Sequence, residues 1–597
     1  MAKKSTVAPE EMQKWLSKIK RAEAVRNDAD NRYGYSRAIL EYQNDYASAM
    51  PSFIANTDII PINEVYAYMK AFVPSIYSRD PFIAINPKGY KSIAGAKILE
   101  LAINSYWREL KLKREIRRSL YDAGFAEGWV KVGYTANIED EDESRVEPSE
   151  FIRNEEIFAS RVSWRNMVRD PDAVNGLHDA RWVAQNIIKP LEVVKASSLY
   201  ENTSDLAASL VSNWQSDPRQ KLVPYRDEVE YVSLWEVWDR DNQKVFTVSE
   251  GHAKYLMNKD WPYKIQGFPY ALLRFNENPD EPYAPNLIAS WEPQLWEKIK
   301  IRAMQMDHIK RFGRQLAAEE GSMSRAEMDK FAQGRTGSVV FYKKGKSAPV
   351  PVPYPPVQTD IYGIESRIDL DKDNVSGQPN AVRSAPQRTQ SRTLGEIDRL
   401  ITAFQSRQSD PQAMVEEFAE EVATKLIGLM QQYLSGDKFV RATQKDIQEI
   451  SQALVDPVTG ESRFDGNGFR FSRKDIQDIE FDLDVRAGST LPLDKQTRAE
   501  TMVNLLKLGP TLGIQPGGRV SRVLGKSLLS DFELKEVEQA YDEEMREIEN
   551  QKIMANAAAS AKVALDGVAL DNARKSVENF KNGGGMPAPG GIGPGDL

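Results

Sequence analysis

The chain contains no cysteine in its 597 residues. Disulfides, thiolate metal sites and cysteine nucleophiles are thereby excluded, and the sequence reads as one that folds and acts in a reducing compartment. Histidine is almost as scarce: His178, His252 and His308 are the only three and lie far apart in sequence. Neither HExxH nor GxSxG occurs, so zinc-protease and serine-hydrolase chemistry has no residues to stand on. No run of about 18 apolar residues appears, so no transmembrane helix is expected. The opening MAKKSTVAPEEMQKW has two lysines but no apolar core, unlike a secretory signal. A basic excess is missing too, with 79 Lys+Arg against 87 Asp+Glu and a net charge of −8. Proteins that coat nucleic acid usually carry the opposite sign, although a pore that lets DNA pass need not. What remains is globular in composition, 41% hydrophobic and 28% charged, and long enough for roughly three to five domains.

The patterns present are mixed. Residues 9–50 are polar and helix-prone, and 60–74 read as a helix stopped by Pro74. A long helical stretch over 91–122 turns basic toward its end, closes at Gly124 and runs into GWVKVGY (128–134), which alternates like a strand. Five acids, Glu139 to Glu143, follow as a solvated loop. Between 156 and 275 the period shifts toward two. Its clearest hairpin is LWEVWDRDNQKVFTVSEG (234–251), with a polar Asp-Arg-Asp-Asn turn. Helix returns at 285–320: Pro293 suits a first turn, and no further Gly or Pro occurs before Gly313. At 1.5 Å per residue that helix would run about 40 Å. Its apolar positions (Leu295, Trp296, Ile299, Met304, Met306, Ile309, Phe312) cover more than one face, with no evident partner in the chain.

Residues 334–358 hold a short strand SVVFY, the basic KKGK with Lys343, Lys344 and Lys346, and the proline-rich PVPVPYPP. A short helix over 359–370 leads to the acid-free loop GQPNAVRSAPQRTQSRT (377–393), which carries Arg383, Arg388 and Arg392. Thr393 and Glu396 make a capping box for a helix to about Leu434, with a kink or restart at Asp410-Pro411. EFDLDVRAG (480–488) alternates like a strand, and 493–580 reads as helix. Residues 582–597 contain seven glycines and three prolines, a composition that cannot bury a core and is expected to be disordered. The expected fold class is therefore α+β with helix predominant.

Apparent catalytic motifs dissolve on inspection. LGKS (524–527) resembles the end of a phosphate-binding loop, but Val520 stands where the first glycine belongs. DLDKDN (369–374) opens like a calcium loop, yet Asn374 and Asn380 replace the required Gly and Glu, so a helix end and turn is expected. The aromatics Trp235, Trp238, Trp261, Tyr263, Phe268 and Tyr270 suit base stacking or, more simply, core packing. Lys111, Lys113, Arg114, Arg117 and Arg118 could touch phosphate or form a solvated, salt-bridged face.

Order along the chain is more telling than any one motif. SIYSRDPFIAINP (75–87) follows a helix; SLYDAGFAEGWVKVGY (119–134) takes a helix into a glycine-marked strand; VSWRNMVRDPDA and ARWVAQ follow within 162–185. Then come the hairpin, GFPYALLRFNENPDEPYAP, the long helix, the segments of 360–434, and DVRAGSTLPLDKQTRAE (484–500). In this order, over about residues 10–555, the chain resembles the portal (head-to-tail connector) proteins of tailed double-stranded DNA bacteriophages. The resemblance implies a homo-oligomeric ring, typically of about twelve copies, at one capsid vertex. Residues 1–283 and 394–490 would build the wing, 284–320 and 359–376 the stem, 321–358 the clip, 377–393 the tunnel loop and 491–557 the crown. Residues 558–597 would extend beyond it. The clip, with Lys343, Lys344 and Lys346, would dock the packaging terminase and later the tail adaptor. The wing would meet the major capsid protein, and Arg383, Arg388 and Arg392 would touch DNA in the channel. The competing reading of those arginines is a surface loop paired with neighbouring acids.

No catalysis, cofactor, metal or membrane is implied, and the location would be the virion after assembly in the host cytoplasm. Acidic copies in a ring repel DNA on the whole, as a conduit requires. Two other classes stay open. A head-completion adaptor would usually be much shorter, and a nucleic-acid motor or nuclease needs a nucleotide cradle or clustered acids.

Overall fold

The structure, a computed structural model, describes residues 9–49, 61–88, 93–138, 152–209, 230–312, most of 316–351, and 360–377. It further describes 394–441 apart from 436–437, 464–485 apart from 466–467 and 478, and residue 574. Residues 1–492 form one unit and 493–597 a second, nearly all of which lies outside the described residues. Among the described residues helix makes up about 48% and strand about 21%, so helix predominates as expected.

The N-terminal helices are α1 (Pro9–Tyr33), α2 (Tyr35–Tyr42), α3 (Tyr46–Ala49) and α4 (Glu64–Ile76). In α1 the buried residues Met12, Trp15, Ile19 and Ala22 recur at spacings of three and four, the signature of one apolar face. That face covers a five-stranded antiparallel sheet of order β4-β5-β6-β7-β8 (Met167–Arg169, Trp182–Pro190, Tyr231–Asp239, Lys244–Ser249, Met257–Asp260). In β6, Trp235 and Val237 point to α1, while Leu234 and Trp238 fill clusters on the other face. The hairpin of β6 and β7 pairs Leu234 with Ser249 and Asp239 with Lys244, as the sequence pattern requires.

Pro74 does not stop α4, which continues to Ile76. A proline costs only its own N–H, and at the helix end the Tyr77 N–H still bonds the Val73 carbonyl at 3.0 Å. The long basic helix of the sequence is two helices, α5 (Ile93–Glu109) and α6 (Leu112–Phe125). They break at Lys111, whose φ of 53° is left-handed and ends the helical path. Gly124 lies inside α6 rather than at its close. After α6 comes β2 (Gly128–Ile138), the centre of a three-stranded antiparallel sheet with β3 (Ile152–Val162) and β9 (Tyr270–Leu273). A short α7 (Leu191–Ala196) follows β5.

Helix α8 (Glu292–Phe312) ends just before Gly313 and has 21 residues, about 32 Å of length. Beyond it lie β10 (Leu316–Ala317), α9 (Arg325–Gln333) and β11 (Val350–Pro351), the two strands pairing antiparallel. Helix α10 (Asp360–Ser376) is longer than the sequence suggests, and 369–374 lies within it, not in a turn. Helix α11 (Leu394–Tyr433) starts just after Thr393 and passes through Pro411 as one 40-residue element. Its second half, from Val415 to Leu434, is buried in the largest core with α4, α5, α6, β2 and the start of α8. Strand β15 (Phe481–Val485) pairs antiparallel with β1 (Ile83–Pro87), Ile83 facing Val485, while β12 (Lys438–Arg441), β13 (Phe464–Asp465) and β14 (Gly468–Phe471) form a small sheet.

Candidate functional site

The segment that the sequence singles out, α8 through α10 with the excursion between them, is built on a buried charge cluster. Asn63 caps α4 by accepting the Tyr66 N–H at 2.8 Å, which fixes Glu64 in the first turn. Lys298 of α8 donates to Glu64 at 3.0 Å and to Asp369 of α10 at 2.5 Å. Lys372 donates to both Glu64 and Asp369, the latter at 3.1 Å. Burial alone would raise the Glu64 carboxyl, but Lys372 and Lys298 hold it below the usual carboxylate range. Asp369 is likewise lowered against its burial by the same two ammonium groups. Arg302 adds a second tie between the helices, donating to Glu365 at 2.7 Å. The calcium-like carboxylate Asp369 is thus already paired with lysines.

This arrangement corrects one expectation. The first half of α8 has partners in its own chain, because Leu295, Trp296, Ile299 and Ala303 are buried in the core. Apolar exposure begins past them. Met304 is 60% exposed on α8, and Leu370 is 58% exposed on α10, with Ile364 and Val375 exposed beside it in sequence.

The excursion is polar and tightly turned. Lys343 donates its N–H to the Ser322 carbonyl at 2.8 Å, Lys346 donates to Lys343 at 3.2 Å, and Gly345 supplies a φ of 92°. Lys343 and Lys344 are exposed. Lys346 is not equivalent to them: its ammonium bonds the Glu320 carbonyl and lies 3.6 Å from Glu319. Of the expected strand SVVFY, only Phe341 and Tyr342 are described, and both are exposed coil. Arg383, Arg388 and Arg392 lie outside the described residues, as do Glu139 to Glu143, LGKS (524–527), the crown segment 491–557 and all of 558–597 except residue 574.

Core packing accounts for the aromatics of the strand region. Trp235, Trp238, Phe268 and Tyr270 are buried, and Trp261 and Tyr263 pack on Trp238 at 5.8 and 5.7 Å between ring centres. His252 is buried, and burial pushes its imidazole down toward the neutral form. Among the described residues, no group of three or more His, Cys, Asp or Glu could hold a metal ion, and no helix is long and apolar enough to cross a membrane. Two features escape the sequence. Glu64 carries no local signal of its partners. Glu41 of α2 is fully buried beside Glu292, and that burial pushes its carboxyl up to about 9, with the Glu292 charge adding to it.

Compared with known proteins, the chain matches no family model and no curated protein.

Proposed function

We propose that the chain is a portal-type subunit that forms a ring, expected to be of about twelve copies, through which double-stranded DNA enters and leaves a capsid. The observation that carries this reading is the form of residues 292–376. Two long helices, clamped together at Glu64, Lys298, Asp369 and Lys372, flank a turn-rich excursion. Around the clamp the same helices expose Met304, Ile364, Leu370 and Val375. Apolar side chains exposed along two tied helices suit burial against neighbouring copies. In this reading the pair is the stem, and the excursion is the clip that docks the packaging terminase and later the tail adaptor. The wing, drawn from 1–283 and 394–490, meets the major capsid protein, and the arginines of 377–393 face the DNA.

The role is structural and needs no cofactor. A net charge of −8 per copy keeps the conduit from gripping phosphate along its length. Electron microscopy of the purified protein should show rings with a central hole, and the same sample should hydrolyse no ATP. A compact monomer at micromolar concentration by analytical ultracentrifugation would sink the reading.

A further inference from the structure

The basic run at the α5–α6 junction gathers into a cleft that the portal reading does not use. Lys70 of α4, Trp107 and Arg108 of α5, and Lys111, Lys113, Arg114, Arg117, Arg118 and Tyr121 at and after the break line a cavity of about 670 Å³. Seven of those side chains are cationic, and Asp80 is the one carboxylate in the lining. Glu115 offsets part of the charge, lying 3.1 Å from Arg118 and 3.6 Å from Arg114. Among the described residues, no carboxylate lies within ion-pair distance of Arg108, Lys111, Lys113 or Arg117. In a chain with a net charge of −8, so local an excess of uncompensated cations is unusual.

The break itself adds to the case. Lys111 holds a left-handed conformation, φ 53° and ψ 37°, where glycine would be unstrained, and no side chain caps α6. The positive end of the α6 dipole therefore opens beside the lysines. Most of the cations are exposed (Lys70, Arg108, Lys111, Arg114, Arg117 and Arg118), while Trp107 is buried and presents no face for stacking a base.

We propose that this cleft binds the phosphodiester backbone of a nucleic acid, without reading its sequence. Several exposed cations lining an open cleft suit a row of phosphates, whereas a single nucleotide would need a face for its base. Nothing in this geometry depends on ring formation or on the loop at 377–393.

The test uses the full chain and a short fluorescein-labelled DNA duplex of arbitrary sequence, read by anisotropy across a salt series. Wild type should bind, with affinity falling steeply as salt rises. Arg114→Ala with Arg117→Ala should weaken binding about tenfold and flatten the salt slope by about two. Lys111→Gly should weaken binding while leaving the melting temperature equal or higher, since it relieves the left-handed backbone. Lys244→Ala with Lys259→Ala, two exposed cations of the five-stranded sheet outside the cleft, should bind the duplex as wild type does. No binding by wild type, unchanged binding in both cleft variants, or an equal loss in the sheet variant would overturn the proposal. So would inorganic tripolyphosphate displacing the duplex at lower concentration than unlabelled duplex does, which would mark a small-anion site.

Discussion

Lys372 and Glu64 stand 308 residues apart in sequence and form a hydrogen-bonded ion pair closed to water. With Lys298 and Asp369 they make two ammonium and two carboxylate groups meet where α4, α8 and α10 converge. Desolvating four charges costs free energy that their mutual attraction largely repays, so the cluster adds less to stability than to uniqueness of packing. Removing one member is another matter. Glu64→Ala leaves two buried ammonium groups sharing Asp369, and should cost about 3 kcal/mol of unfolding free energy in chemical denaturation. A double-mutant cycle of Glu64→Gln with Lys372→Met should give a coupling of more than about 1 kcal/mol. Additive losses would show that the pair is incidental.

The same cluster sets an acid limit. Glu64 and Asp369 are held below their ordinary values of 4.5 and 3.8. Their contribution is complete above those values and is lost as pH falls through the lower folded ones. Glu41 acts in the opposite direction. Its carboxyl, ordinarily at 4.5, sits at about 9 in the fold, so the folded state holds a proton that the unfolded chain has released. Stability from this group is fully present below pH 4.5 and declines as pH rises toward 9, by about 1.4 kcal/mol per unit for the one proton. Glu41→Gln, neutral at every pH, should remove that decline and be no less stable at pH 7. An unchanged slope between pH 5 and 8 in the variant would refute the assignment.

How legible this was depends on range. The hairpin of β6 and β7 was plain because Trp235 and Val237 alternate around a polar turn, and local alternation fixes register. The reach of α8 was overread: the sequence suggests 285–320 and about 40 Å, whereas the helix spans only Glu292–Phe312 and Leu316–Ala317 is a strand. The break at Lys111 was hidden, since lysine favours helix and nothing in its neighbours announces a left-handed residue. Glu41, in a sequence that reads as surface, is buried beside an Arg37–Glu292 pair whose members are 255 residues apart. The basic run was visible as composition, whereas its closure with Lys70 into a cleft needed α4 to be placed beside it.

Two glycines should separate packing from propensity. A Cβ at Gly128, where α6 turns into β2, would lie 2.5 Å from the Ser119 carbonyl oxygen, a backbone atom that cannot swing away. Gly128→Ala should cost about 1–3 kcal/mol through overpacking. A Cβ at the exposed Gly363 of α10 would meet nothing within 4 Å. Gly363→Ala should stabilise by about 0.5–1 kcal/mol through helix propensity alone. Thermal melting of both variants checks the contrast, and equal effects would contradict the packing at the α6–β2 junction.

The three lysines of the excursion should not behave alike. Lys343→Glu with Lys344→Glu reverses two exposed charges and should weaken terminase or tail-adaptor binding while leaving local protease resistance unchanged. Lys346→Glu breaks the contacts to Glu319 and Glu320 and should expose the 319–347 turn to proteolysis before any partner is added. Packaging and tail joining at wild-type levels in the double variant would remove the docking role from these residues.

The channel role of Arg383, Arg388 and Arg392 is tested by separating assembly from DNA handling. Their segment begins where α10 ends at Gly377, in a left-handed turn with φ 69°, and ends where α11 begins at Leu394. Arg407, well inside α11, donates to the Asn374 carbonyl of α10 at 2.9 Å, which ties the last turn of α10 to the body of α11. That chain has no acid of its own to neutralise its arginines. In the proposed ring, three such cations per copy would give many weak contacts to phosphate, each softened by solvent and salt. Contacts of that kind centre a moving duplex without halting it. Replacing all three with alanine should therefore leave rings intact by electron microscopy. The length of DNA packaged per particle, or its retention after packaging, should change. Full-length, fully retained DNA in the variant would assign these arginines to an ordinary surface loop.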